Sequence, residues 1–210
     1  YYLADVIRFE PATENKNQGN LFCKTTSGVG KNYSIRLEVN GQLSNEVYNA
    51  GLSYFPPVLE RFTGIDAKGG KTSGQEAITL HGSNFGTNRN ADIVLKYSNV
   101  QSNIPHEYAA KDCTVVQDHK KIECRTVPGV GTNLKLFLQV AQQLAVSPSF
   151  NYRRPILQSI YGPFRNALTE GGEQIILKGT DFGPLSYNIN NNNVQIQRPD
   201  SSGQGAVISY

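Results

Sequence analysis

The chain has no methionine among its 210 residues, only three cysteines, and no apolar run approaching the ~20 residues of a membrane-spanning helix. Without an initiator methionine it reads as a stretch cut from a longer protein, so its lack of a signal peptide or anchor says nothing of the parent. Clustered charge of one sign is also missing. The net charge is +3, and the longest basic runs are Lys120-Lys121 and Arg153-Arg154. A surface that tracks phosphates needs a basic stripe with aromatics interleaved, so nucleic-acid binding is not indicated. No window sustains helical periodicity, and helix should be nearly absent.

What the chain has instead is a copy of itself. The run FCKTTSGVGKN (residues 22–32) returns as ECRTVPGVGTN (residues 123–133) at an offset of 101, with Cys23 matching Cys124 and Gly28 matching Gly129. Further on, ITLHGSNFGTN (78–88) returns as IILKGTDFGPL (175–185) at an offset of 97. A period near one hundred residues marks a whole domain rather than a solenoid turn. Three blocks follow: residues 1–55 as the C-terminal part of one unit, 56–153 as a complete unit, and 154–210 as the N-terminal part of a third. The complete unit has the size of a small sandwich domain and needs no metal to hold its core.

Within the middle block, short alternating apolar stretches are separated by Gly, Asn, Ser or Pro, as in half-buried antiparallel strands. Strands are expected over 58–62, 77–80, 93–97, 114–117, 121–125, 134–140 and 145–152, giving an all-β sandwich. Leu134, Leu136, Leu138 and Val140 should face its core, and the first block repeats that inward set as Ile35, Leu37 and Val39. Phe137 falls on the solvent side, either as a loosely covered aromatic or as a contact in an assembly. Tyr54-Phe55-Pro56-Pro57 and Tyr152-Arg153-Arg154-Pro155 join the blocks with no Gly/Ser linker. Proline stiffens such a passage, which favours a rod over beads on a flexible string.

Apparent catalytic motifs fail against their twins. Asp181-Phe182-Gly183 spells a kinase magnesium motif, yet the earlier copy carries Asn84-Phe85-Gly86 and no catalytic loop accompanies either. Gly28-Val29-Gly30-Lys31 hints at a phosphate loop, but Asn32 replaces the Ser/Thr that would meet magnesium and Thr25 the first glycine. His81, His106 and His119 share no metal-ligand spacing, and no serine sits in a G-x-S-x-G elbow. No catalytic, metal or cofactor residue is assigned, and an enzyme is not expected. The Asn-rich run at 188–193 reads as a surface loop.

One order of elements stands twice: Pro57-Val58-Leu59, Ser73-Gly74, Ile78-Thr79-Leu80 and Gly82-Ser83-Asn84-Phe85-Gly86, then Pro155-Ile156-Leu157, Gly171-Gly172, Ile175-Ile176-Leu177 and Gly179-Thr180-Asp181-Phe182-Gly183. A later set comprises Cys124, Pro128-Gly129, Gly131 and Tyr152 ahead of Pro155. This pattern resembles the IPT/TIG domain, the immunoglobulin-like module of plexins, related receptors, some transcription factors and many large surface proteins. The first block departs from it, with Ser27 in place of Pro128. The resemblance implies tandem immunoglobulin-like β-sandwich domains, one complete and two partial, with Phe85 and Phe182 plugging the sandwich ends.

In the middle block, Cys113 and Cys124 flank the turn-like stretch 118–121 on neighbouring strands, and a disulfide is expected, worth about 2 to 3 kcal/mol for so short a loop. Two free buried thiols are the alternative. By analogy the partner of Cys23 lies upstream of Tyr1, while a free or intermolecular thiol stays open. A disulfide implies an oxidising compartment, and Asn32-Tyr33-Ser34 is a candidate acceptor for an N-linked glycan. The expected role is a non-catalytic segment of a large extracellular or cell-surface protein, serving protein interaction or assembly as a fibre, coat or adhesion rod. Its partners would be other protein subunits or further copies of itself, with a membrane anchor outside this stretch left open. The alternatives are an accessory module of a secreted carbohydrate-active enzyme and a dimerisation module of a transcription factor.

Overall fold

The computed structural model describes residues 2–11, 19–66, 68–88, 92–99, 107–163, 166–184, 196–199 and 205–208. Among them there is no helix, and the protein is all-β. The first block carries β1 (Asp5–Glu10), β2 (Asn20–Lys24), β3 (Tyr33–Ile35), β4 (Glu38–Val39), β5 (Gln42–Leu43) and β6 (Val47–Leu52). The middle block carries β7 (Val58–Thr63), β8 (Ala77–Ser83), β9 (Ile93–Ser98), β10 (Glu107–Ala109), β11 (Lys111–Gln117), β12 (Lys121–Arg125), β13 (Leu134–Val140) and β14 (Gln143–Phe150). The third carries β15 (Ile156–Tyr161), β16 (Ile176–Thr180), β17 (Ile196–Pro199) and β18 (Gly205–Ile208).

Two four-stranded sheets build the middle block, ordered β7-β8-β12-β11 and β10-β9-β13-β14, with antiparallel neighbours throughout. This is the strand order of an immunoglobulin-type sandwich extended by one edge strand, β10. Three residues are too few for alternation to show, which is why the sequence pattern did not reveal β10. The inner faces supply one core. Ile78 and Leu80 of β8, Ile122 and Cys124 of β12, Leu95 and Tyr97 of β9, and Leu134, Leu136, Leu138 and Val140 of β13 are all buried. Each such aliphatic side chain contributes about 2 kcal/mol through removal from water. Phe137 lies on the outer face of β13, half-buried, across from Val146 and Lys96.

Two expectations need correction. Residues 35–39 do not form a single core strand like β13: β3 ends at Ile35, and β4 and β5 make a separate small hairpin around Asn40 and Gly41, both at positive φ. Ile35, Leu37 and Val39 are exposed. The physical reason is pairing, since β13 is flanked by β9 and β14 and covered by the facing sheet, whereas among the described residues β3 pairs with β6 alone. Likewise Phe85 is fully buried at its sandwich end, but Phe182 is nearly half-exposed beside the two-stranded β15-β16 sheet. His106 and the Asn-rich run at 188–193 lie outside the described residues.

Candidate functional site

The two copies of the Gly-Val-Gly turn sit where blocks meet, and tyrosine hydroxyls hold both. In the first block, the Val29 N–H donates to the Tyr2 hydroxyl (3.0 Å), which donates back to the Val29 carbonyl (3.2 Å). In the middle block the Val130 N–H and carbonyl are clasped in the same way by Tyr108 at 3.1 and 3.0 Å. The closing tyrosine repeats as well. Tyr54 donates to the Thr26 carbonyl at 2.8 Å, and Tyr152 to the Val127 carbonyl at 2.6 Å. These rings lie so close that a β-carbon at Gly28 would meet Tyr54 at 2.5 Å and one at Gly129 would meet Tyr152 at 2.7 Å. Glycine is required there by space.

Burial sets the electrostatics of both clusters. Tyr2, Tyr33 and Tyr54 pack edge-to-face with centroids 5.4 to 6.1 Å apart. Desolvation, then the Tyr2 hydrogen bond, pushes the Tyr33 phenol up to about 12, and desolvation raises Tyr54 too. In the middle block, burial raises Tyr97 and Tyr152, whose hydroxyls pair at 2.9 Å. These phenols stay neutral and serve as hydrogen-bonding pegs.

At the first joint one side chain bridges two backbone groups of the preceding block. Gln143, buried at the start of β14, accepts the Gly30 N–H at 3.1 Å and donates its amide to the Tyr54 carbonyl at 3.0 Å. Val29 enters the core cluster of the middle block, and His119 Nε2 meets the Ser27 hydroxyl at 3.1 Å. Asn84 donates to the Pro56 carbonyl at 2.9 Å. Releasing a carboxamide that bridges two backbone groups across a joint is costly, because both groups would lose their partner.

The second joint is held differently. The Thr72 hydroxyl donates to the Asp181 carboxylate at 3.3 Å, and Gly183 faces Val130 so closely that an added β-carbon would lie 2.6 Å from its methyl. Arg153 is anchored to its own block, donating from Nη2 to Asp66 (2.7 Å) and from Nε to the Gly69 carbonyl (3.3 Å). The Lys68 N–H, then Arg153, holds the Asp66 carboxyl below its ordinary range.

The remaining candidates make none of these contacts across the joints. Cys113 and Cys124 form a disulfide between β11 and β12, with Cα atoms 4.1 Å apart at a register shift in the ladder. Cys23 is a free, exposed thiol. Asn32 is exposed at the start of β3, at positive φ. His81 bonds the Thr63 hydroxyl at 2.9 Å, and desolvation, aided by Arg61 and Lys121, lowers its pKa. No group of three or more His, Cys, Asp or Glu among the described residues could hold a metal ion. No helix among them is long and apolar enough to cross a membrane. The joint residue that sequence reasoning missed is Gln143, because a polar residue opening a strand gives no signal until its partners in another block are seen.

A two-sheet sandwich whose distinctive polar chemistry lies at its ends defines an immunoglobulin-like interaction module. Residues 61–153 match the family model of the IPT/TIG domain, and the middle block is such a domain. No curated protein and no solved structure matches the chain. The IPT/TIG family is non-catalytic and generally mediates protein–protein interaction.

Proposed function

We propose that the chain is a run of serial IPT/TIG units, with 1–55 and 154–210 as parts of units on either side of the complete one at 56–153, forming a stiff, non-catalytic rod. The observation that carries this reading is the first joint, where Gln143 of one block satisfies Gly30 and Tyr54 of the other. A rod of this kind displays surfaces at fixed spacing and serves recognition or assembly with other protein subunits or further copies of itself at a cell surface or in an extracellular fibre. The Cys113–Cys124 disulfide and the exposed sequon asparagine Asn32 support an oxidising, secretory location.

Small-angle scattering and residual dipolar couplings on the 210-residue protein test the rod. One fixed angle between the first and middle blocks is expected, and a broad distribution of angles overturns the reading. The location is tested separately on native material. A glycosidase-sensitive mass at Asn32 and an oxidised Cys113–Cys124 peptide are expected, and free thiols at both positions overturn an extracellular assignment.

A further inference from the structure

At the second joint, the pair of backbone groups that binds Gln143 at the first joint is present again, and no described residue bonds it. The two turns share these bonds. The Tyr54 N–H donates to the Gly30 carbonyl at 2.9 Å, and the Tyr152 N–H to the Gly131 carbonyl at 3.0 Å. The Asn32 N–H donates to the Ser53 hydroxyl at 3.0 Å, and the Asn133 N–H to the Asn151 side-chain Oδ1 at 2.7 Å. Gly30 and Gly131 share positive φ values of 96° and 116°. Yet Gly30 is buried and Gly131 is exposed, and no described residue bonds the Gly131 N–H or the Tyr152 carbonyl. A groove of about 760 Å³ opens at Tyr152 and at Thr132, the neighbour of Gly131, and is lined also by Arg153, Ile156, Thr180 and Asp181.

We propose that the Gly131 N–H and the Tyr152 carbonyl form a carboxamide socket whose occupant is a glutamine side chain of an adjoining IPT/TIG unit, the part that Gln143 plays at the first joint. This rests on reading 154–210 as part of a further IPT/TIG unit. The first joint supplies the chemistry of the occupant: one donor and one acceptor face the ligand, which a primary carboxamide satisfies with its oxygen and its nitrogen. A carboxylate meets the N–H but has no proton for the carbonyl, and an aliphatic chain meets neither. Serial units would then share one lock, made by the Gly-Val-Gly turn of each unit and a glutamine from the next.

The test uses the isotope-labelled 210-residue protein and a cyclised hairpin peptide of residues 134–150, which carries Gln143. A saturable shift of the Gly131 amide resonance is expected, with Gly30 unmoved because its site is filled. A peptide carrying Gln143→Leu should bind roughly tenfold more weakly, having lost both hydrogen bonds. In the Gln143→Leu protein, the wild-type peptide should also shift Gly30. The socket is overturned if Gly131 does not move, or if the Gln143→Leu peptide moves it equally. Scattering of the same sample reads the first joint independently, so a failed socket and a failed rod give different results.

Discussion

The middle and third blocks carry nearly the same residues at twin positions and treat them oppositely. Ile78 is 1% exposed and its twin Ile175 41%, Leu59 is 7% exposed and Leu157 50%, and Phe85 is 0% exposed and Phe182 45%. The local device survives in both copies. A β-carbon at Gly82 would collide with the Val58 carbonyl, and one at Gly179 with the Ile156 carbonyl, so each glycine lets its two strands close. What differs is the facing sheet. β8 lies opposite β9 and β13, while β15 and β16 stand as a two-stranded sheet among the described residues. Hairpin geometry is thus encoded within one half of a unit, whereas burial is a property of two halves together.

The largest test of that contrast exchanges the twin phenylalanines. Phe85→Ala should cost about 3–5 kcal/mol in unfolding free energy, as expected for a fully buried aromatic, while Phe182→Ala should cost about 1 kcal/mol or less. Denaturant unfolding followed by resonances from each block measures both, and equal costs would show that the third block is covered in solution. Next in size is the disulfide. Replacing Cys113 and Cys124 together by Ala should destabilise the middle block by about 3 kcal/mol for a cysteine separation of 11 residues, leaving the third block's melting unchanged. Gln143→Leu should follow at about 1–3 kcal/mol, since it strands the Gly30 N–H and the Tyr54 carbonyl. Its signature is faster hydrogen exchange at Gly30 with β13 unaffected, and unchanged Gly30 exchange would remove Gln143 from the joint.

How far the sequence could be read follows the same division. Alternation over residues 134–140 announced β13 and its inward leucines because one strand's period is local information. The twin motifs disposed of Asp181-Phe182-Gly183 as a magnesium site for the same reason: the copy at 84–86 showed the turn to be structural. The exposure of Ile35, Leu37 and Val39 was illegible, because their pattern matches that of β13 and only the number of partner strands among the described residues distinguishes them. The tyrosine clasps were equally hidden. Tyr2 meets Val29 across 27 residues and Tyr108 meets Val130 across 22, and spacing alone says nothing about hydroxyls reaching backbone groups at that range. The lock at the first joint spans 113 residues from Gly30 to Gln143 and could emerge only from the folded chain.

The smallest effect at neutral pH concerns those same tyrosines and sets the first block against the middle one in alkali. Tyr33 is pushed up to about 12, and Tyr54, Tyr97 and Tyr152 are raised, in each case chiefly by burial. A phenol whose folded pKa exceeds its unfolded value of about 10 stabilises the fold fully below that value. That contribution is lost as pH rises through the folded pKa. Stability should therefore be flat to about pH 10 and fall above it, with the Tyr33 contribution disappearing as pH approaches about 12. Phenolate absorbance should show Tyr33, Tyr54, Tyr97 and Tyr152 ionising only above the ordinary phenol range. Tyr108→Phe should bring the middle block's alkaline transition to lower pH and leave that of Tyr33 and Tyr54 where it was, because the two clasps share no residue. If both transitions moved together, the turns would be coupled through the joint rather than held separately by their own tyrosines.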